Sequence, residues 1–415
     1  MFRHRDVDSP YAWLRLVIAI LLSAIGCVGM WSVVVVLPAV QAEFHVDRAA
    51  ASMPFTLTMI GFGVGGVVTG RLADRFGVML PMMIGAVSLG AGFLLASLSS
   101  GLAQFSAAYL LIGLLGVAAT YVPLLADVSR WFERRRGIAV ALCASGNYLA
   151  GSLWPPVIEA LTRAHGWRVT HAIVGIFCLV VMPLLALLLR GRPPAHAPHH
   201  VAAASAVANR RIDLPPGILQ TLLAIAGLGC CVAMSMPQVH IVAYCTDLGY
   251  GAARGAEMLS LMLGFGIISR IGSGFLADRL GGVATLAIGS AAQMLALILY
   301  LLSDGLTSLY VISALFGLFQ GGLVPSYPII IRESFPAQQA GARVGIVIMM
   351  TLLGMALGGW MSGVIFDMTG SYRVAFANGV AWNALNLLIA LYLLTRSPFI
   401  ARRSATAPHA RSAAE

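Results

Sequence analysis

Apolar residues run through this chain in twelve long blocks divided by polar breaks, near positions 13–40, 53–73, 79–98, 105–128, 137–161, 169–189, 215–245, 256–277, 283–302, 307–332, 342–366 and 373–395. A helix that crosses a bilayer needs roughly 20 apolar residues at about 1.5 Å of rise each, and every block is that long. The blocks lack the apolar and polar alternation, with turns about every ten residues, of a membrane β-barrel. The pattern predicts an all-α membrane protein of twelve transmembrane helices.

A repeat organises them. Gly70-Arg71-Leu72-Ala73-Asp74-Arg75-Phe76-Gly77 returns 204 positions later as Gly274-Phe275-Leu276-Ala277-Asp278-Arg279-Leu280-Gly281, with six of eight residues identical. Each copy closes an apolar block, so the chain reads as two pseudo-symmetric six-helix bundles. We expect an N-terminal bundle over 1–190, a linker over 191–213 rich in Pro, Ala and His, a C-terminal bundle over 214–396 and a disordered tail over 397–415. Short breaks such as Ser99 to Gln104 make consecutive helices antiparallel neighbours.

Composition agrees: 59% hydrophobic and 10% charged residues leave too little polar surface for a soluble particle of this length. All 26 basic residues are Arg. With the N-terminus inside, all but Arg48, Arg163, Arg168, Arg254 and Arg373 fall on inner loops, inner helix ends or termini, so the positive-inside rule places both termini in the cytoplasm. The setting expected is a bacterial inner membrane, and the net charge of +10 faces anionic lipid rather than nucleic acid. The first apolar run is too long for a cleavable signal peptide. The six cysteines show no Cys-x-x-Cys spacing and indicate neither disulfide nor metal. His196, His199 and His200 share the linker with three prolines and read as linker before metal tract. No cofactor is expected.

One charge stands out within a span. Arg270 is flanked by Ile267, Ile268 and Ile271, and a charge at mid-helix costs on the order of 2.5 to 3.5 kcal/mol on insertion scales. The repeat maps it onto Gly66, so it does not belong to the shared scaffold. Its planar fork fits a carboxylate in a cavity between helices. Tyr121 and Tyr327, beside Pro123, Pro325 and Pro328, could donate hydroxyls to the same substrate, as could Asn147 and Tyr148. His240 and Asp247 share one helix face and could alternate protonation with a loaded Arg270. Gly70 and Gly274 are expected to let helices meet closely. Asp74, Arg75, Asp278 and Arg279, with Glu133 and Glu333 at helix ends, form a candidate latch on the inner side.

The two Gly-x-Leu-Ala-Asp-Arg-x-Gly copies resemble the signature loop of the major facilitator superfamily. Arg270-Ile-Gly-Ser-Gly274, Tyr121-Val-Pro123, Trp131-Phe132-Glu133-Arg134-Arg135-Arg136-Gly137, Glu333-Ser-Phe335-Pro336 and Asp367-Met-Thr-Gly370-Ser-Tyr-Arg-Val-Ala-Phe376 look like its monocarboxylate porter branch, which includes oxalate–formate antiporters. The resemblance implies the major facilitator fold, a substrate carboxylate on Arg270 and transport of lactate-like acids coupled to protons. The chain departs from it at Gly266, where animal members carry an Asp, and in the uncharged run Val344 to Ile365, where oxalate exchangers carry a Lys. The expectation is a monomeric secondary transporter, not an enzyme, moving a lactate- or pyruvate-class monocarboxylate by alternating access with proton symport. An organic-anion antiporter and a drug or metabolite exporter are the alternatives.

Overall fold

The structure, a computed structural model, describes residues 7–191 and 212–397. Most of the expected linker, its three histidines included, and nearly all of the expected tail lie outside the described residues. Eleven helices are long and apolar enough to cross a membrane, and one of them is two spans. In the 52-residue stretch Arg136–Leu187, Gly166 leaves helical geometry at φ 79° and ψ 160°, a left-handed conformation that glycine adopts without a Cβ penalty. The twelve spans are α1 (Pro10–Phe44), α2 (Arg48–Phe76), α3 (Met79–Ser97), α4 (Leu102–Trp131), α5 (136–165), α6 (167–187), α7 (Pro216–Asp247), α8 (Ala252–Leu280), α9 (Gly282–Leu302), α10 (Leu306–Ser334), α11 (Gln338–Thr369) and α12 (Tyr372–Thr395).

The 204-residue offset carries α3 onto α9 and α4 onto α10 to within one residue at each end, so the duplication extends well beyond the signature loop. Both α4 and α10 are interrupted at mid-membrane. In α4 a wide turn over Ile112–Val117 precedes a break at Tyr121, ahead of Pro123; in α10 the break falls at Gly321 and Gly322. Proline lacks the N–H that would close the ladder, and glycine tolerates the opened backbone.

An even number of spans brings both described ends to one face, here called the terminal face; the opposite one is the distal face. Toward the distal face the halves are in intimate contact. A Cβ on Gly363 of α11 would stand 2.8 Å from Ala49 Cα of α2, and at mid-span one on Gly63 would still stand 2.8 Å from Met349 Sδ. Small residues permit such approach, which in lipid supplies the packing that holds helices together. Toward the terminal face the contact ends: a Cβ on Gly272, Gly274, Gly341 or Gly345 would meet nothing within 4 Å. The carrier is closed distally and open on the terminal side.

That opening corrects one expectation. Gly274 makes no close helix contact, and Gly70 has only an ordinary one, 3.7 Å from a notional Cβ to Val122. Neither glycine serves as a close-packing point between helices here.

Candidate functional site: an arginine between the halves

Arg270 projects from α8 toward the other half. Its Nη1 donates to the Ala144 carbonyl at 3.0 Å, and its guanidinium carbon lies 4.4 Å from the centre of the Tyr148 ring. The Ala144 carbonyl can accept because α5 is interrupted at Ser145, which frees the last carbonyls of the preceding segment. The phenols of Tyr121 and Tyr148 both interact with the cation. Its Nε is buried without a hydrogen-bond partner. A half-buried cation with donors left free, Nε among them, beside two phenols and an aromatic face has the chemistry to attract an anion.

Gly266, one turn before Arg270, is explained by the same geometry. Any side chain there would collide with the Tyr148 ring, so the ring takes the room that an acidic residue would need. Of the expected substrate-binding residues, the structure brings Tyr121 and Tyr148 to Arg270. Asn147 is engaged elsewhere: its side-chain and main-chain oxygens accept from Trp31 Nε1 at 3.2 and 3.3 Å. Tyr327 is fully buried in the C-terminal half and donates to Asn386 Oδ1 at 3.0 Å, away from the arginine. An apolar helix does not reveal from sequence which face looks inward, so neither of these pairings was foreseen.

His240 and Asp247 do not sit beside Arg270. Counted from the distal helix ends, Arg270 lies 18 residues along α8 and His240 seven along α7, a difference in depth of roughly 17 Å at about 1.5 Å per residue. Both instead join a network that closes the distal face. Arg48 of α2 donates from Nη2 to both oxygens of Asp247 at 3.1 Å, and from Nη1 to Tyr372 Oη at 3.1 Å. His240 Nε2 is 2.8 Å from the Gly359 carbonyl, which can only accept, so that nitrogen carries the proton. Nδ1 then accepts from the Tyr372 hydroxyl at 3.3 Å. Asp367, at the end of α11, accepts from the Arg48 and Ala49 amides at 2.8 and 2.7 Å and so caps α2 from the opposite half.

Arg48, Tyr372 and Asp367 were missed as site residues. Sequence reading placed Arg48 on an outside loop, and its ion pair with Asp247 spans 199 positions, beyond any local pattern.

On the terminal face three of the candidate latch residues have a hydrogen bond to a partner in their own half. Asp74 accepts from Arg130 at 2.6 Å, and Glu333 accepts from the Gly282 amide at 3.2 Å. The backbone amide of Glu133 donates to Asp8 at 3.4 Å, while Arg75, Asp278 and Arg279 are exposed. A second buried cation was also missed. Arg15 forms a two-bonded pair with Asp127 at 2.7 and 3.0 Å, donates to the Leu189 carbonyl at 3.1 Å and stacks on Trp131. All of these partners belong to the N-terminal half, so the pair braces that bundle.

Two pseudo-symmetric helical bundles, shut at one face and enclosing a cation at their interface, define a membrane carrier. The family model of the Major Facilitator Superfamily matches residues 19–313 and 273–414, and the chain belongs to that superfamily. It is 28% identical to monocarboxylate transporter 13 of Bos taurus over 383 residues, 90% of this chain and 87% of that protein. It is 27% identical to the uncharacterized MFS-type transporter YcxA of Bacillus subtilis (strain 168), over 88% of this chain and 90% of that one. Among solved structures, a bacterial homolog of the human lysosomal transporter Spinster, inward-facing and unoccupied, superposes with a TM-score of 0.68 at 14% identity, covering 96% of this chain and 98% of that one. The chain is thus a multi-pass membrane transporter and not an enzyme.

Proposed function

We propose that this transporter moves a small organic monocarboxylate of the lactate or pyruvate class by alternating access, with proton symport, across a bacterial inner membrane with both termini in the cytoplasm. The observation that carries the reading is Arg270: a cation between the halves, with an unfilled Nε donor and the Tyr121 and Tyr148 phenols beside it. The relatives named as monocarboxylate transporters support it. So does the charge count, since one cation matches one carboxylate and a second would stay unpaired in a low-dielectric site. The Arg distribution supports the orientation, and in that orientation the described state opens inward.

The coupling proton is assigned to the distal network. A proton on His240 Nδ1 would displace the Tyr372 hydroxyl, and one on Asp247 would weaken its hold on Arg48; either loosens the distal contact without touching Asp367. Cotransport of a proton neutralises the anion and avoids work against an inside-negative potential, about 2.3 kcal/mol per charge per 100 mV. Uptake of lactate or pyruvate into proteoliposomes should follow an inward proton gradient and fall at least 100-fold in Arg270→Ala. Undiminished uptake by that variant would reject the clamp.

A further inference from the structure

The 204-residue offset permits a position-by-position comparison of the two bundle interiors, and they differ in chemistry. Where the N-terminal half has Val34, Ala86, Leu89, Gly116, Leu179 and Met182, the C-terminal half has Gln238, Ser290, Gln293, Gln320, Asn383 and Asn386. All six of the latter are buried, Gln293 and Gln320 completely. At these six positions the N-terminal half is without polar side chains, and the polar groups belong to the C-terminal half alone.

Their hydrogen bonds leave part of that polar capacity unused. Gln238 Nε2 donates to Gln320 Oε1 at 2.8 Å, joining α7 to α10, and Asn383 and Asn386 donate to Ser290 at 2.8 and 2.5 Å. Gln320 Nε2, Gln293 Nε2 and Asn383 Oδ1 are buried with no partner among the described residues. An underbonded amide in a protein interior is costly, and purely structural polar groups are normally satisfied.

The location ties the group to the arginine. Gln320 ends the first segment of α10, immediately before the Gly321–Gly322 break. Side chains at those glycines would collide with Gly266 and Ser273 of α8, on either side of Arg270. The underbonded amide and the underbonded guanidinium thus belong to adjoining turns of two packed helices.

We propose that Gln320, held by Gln238, is an uncharged subsite beside Arg270 that selects carboxylates bearing hydroxyl or oxo groups on their tail over alkyl acids of the same length. This rests on the carboxylate reading of Arg270 and adds residues to it. The free amide N–H groups supply donors to a tail oxygen, whereas an alkyl tail would leave them unpaired, and sites built to hydrogen-bond reject analogues that lack the partner.

The test compares glycerate with propionate, as competing ligands and as cargo in proteoliposomes, for the wild type and for Gln320→Met, which keeps the side-chain length and removes the amide. The wild type should prefer glycerate, and the variant's glycerate-to-propionate ratio should fall about tenfold, one neutral hydrogen bond. If Gln320→Met is not recovered folded, Gln238→Val, which restores the residue of the matching N-terminal position and releases Gln320, carries the same measurement. An unchanged ratio, with both acids still dependent on Arg270, overturns the subsite and leaves the clamp standing. Failure of either acid to bind the wild type overturns the carboxylate reading beneath it, and the subsite with it.

Discussion

Glu43 and Asp247 occupy the same position in the two halves, at the distal ends of α1 and α7, one repeat apart. Glu43 is held by Arg168 at 2.7 and 3.0 Å and by Trp167 at 2.5 Å, both from α6 of its own half. Asp247 is held by Arg48 of the other half. The inherited carboxylate became a brace in one bundle and a clasp between bundles in the other. What separates a structural ion pair from a gating one is the half to which the partner belongs, since only a pair that spans the halves changes when they rock apart.

The comparison predicts a graded series. The largest loss of stability should come from the Arg15–Asp127 brace, because removing one member strands a buried charge. Asp127→Ala should lower unfolding stability by about 3–5 kcal/mol, read by thermal denaturation in detergent. Recovery of wild-type stability would show that the pair is dispensable.

Next is the clasp. Arg48→Ala removes charge-assisted bonds to Asp247 and the bond to Tyr372. Hydrogen exchange of the Ala49 amide and of the last turn of α11 should accelerate on the order of tenfold or more. Arg168→Ala, cutting the matching brace, should leave those amides unchanged, and equal acceleration in both variants would erase the distinction between brace and clasp.

Smaller still is the brace at Glu43. Its pair with Arg168 is partly exposed, so Glu43→Gln should cost within about 1 kcal/mol of stability.

The smallest effect should arise at Asp304, in the loop between α9 and α10. The Tyr244 hydroxyl, then Arg373 at 2.5 Å, hold its carboxyl below the ordinary value. A depressed carboxyl contributes stability that is present above the unfolded value, about 3.9, and is lost as pH falls through the folded one. The melting-temperature gap between wild type and Asp304→Asn should therefore be constant above about pH 5 and shrink in more acid solution. A gap that widened with acid would give the wrong sign.

The fold was almost fully legible in the sequence, because spans of lipid-matched length and a duplicated loop are local signals that lipid enforces. Arg270 was legible too, since a charge among isoleucines is conspicuous. Tyr121 followed from an aromatic residue beside a proline, while the same reasoning at Tyr327 did not foresee its bond to Asn386 inside the C-terminal bundle. The distal network was not legible. Arg48, Asp247, Tyr372 and Asp367 come from four helices of both halves, and no spacing rule connects them. Arg15 was read as one more inner-face arginine, and Asp127, alone among Leu124, Leu125, Ala126 and Val128, was the signal overlooked.

The ring of Tyr148 and the carbonyl of Ala144 reach Arg270 from across the divide, so part of the guanidinium is tied to the opposite bundle while its Nε stays free. On the reading proposed above, an anion drawn to the free donors would compete with those ties. Loading would then loosen one bundle from the other, and the cargo itself would help to unlock the machine.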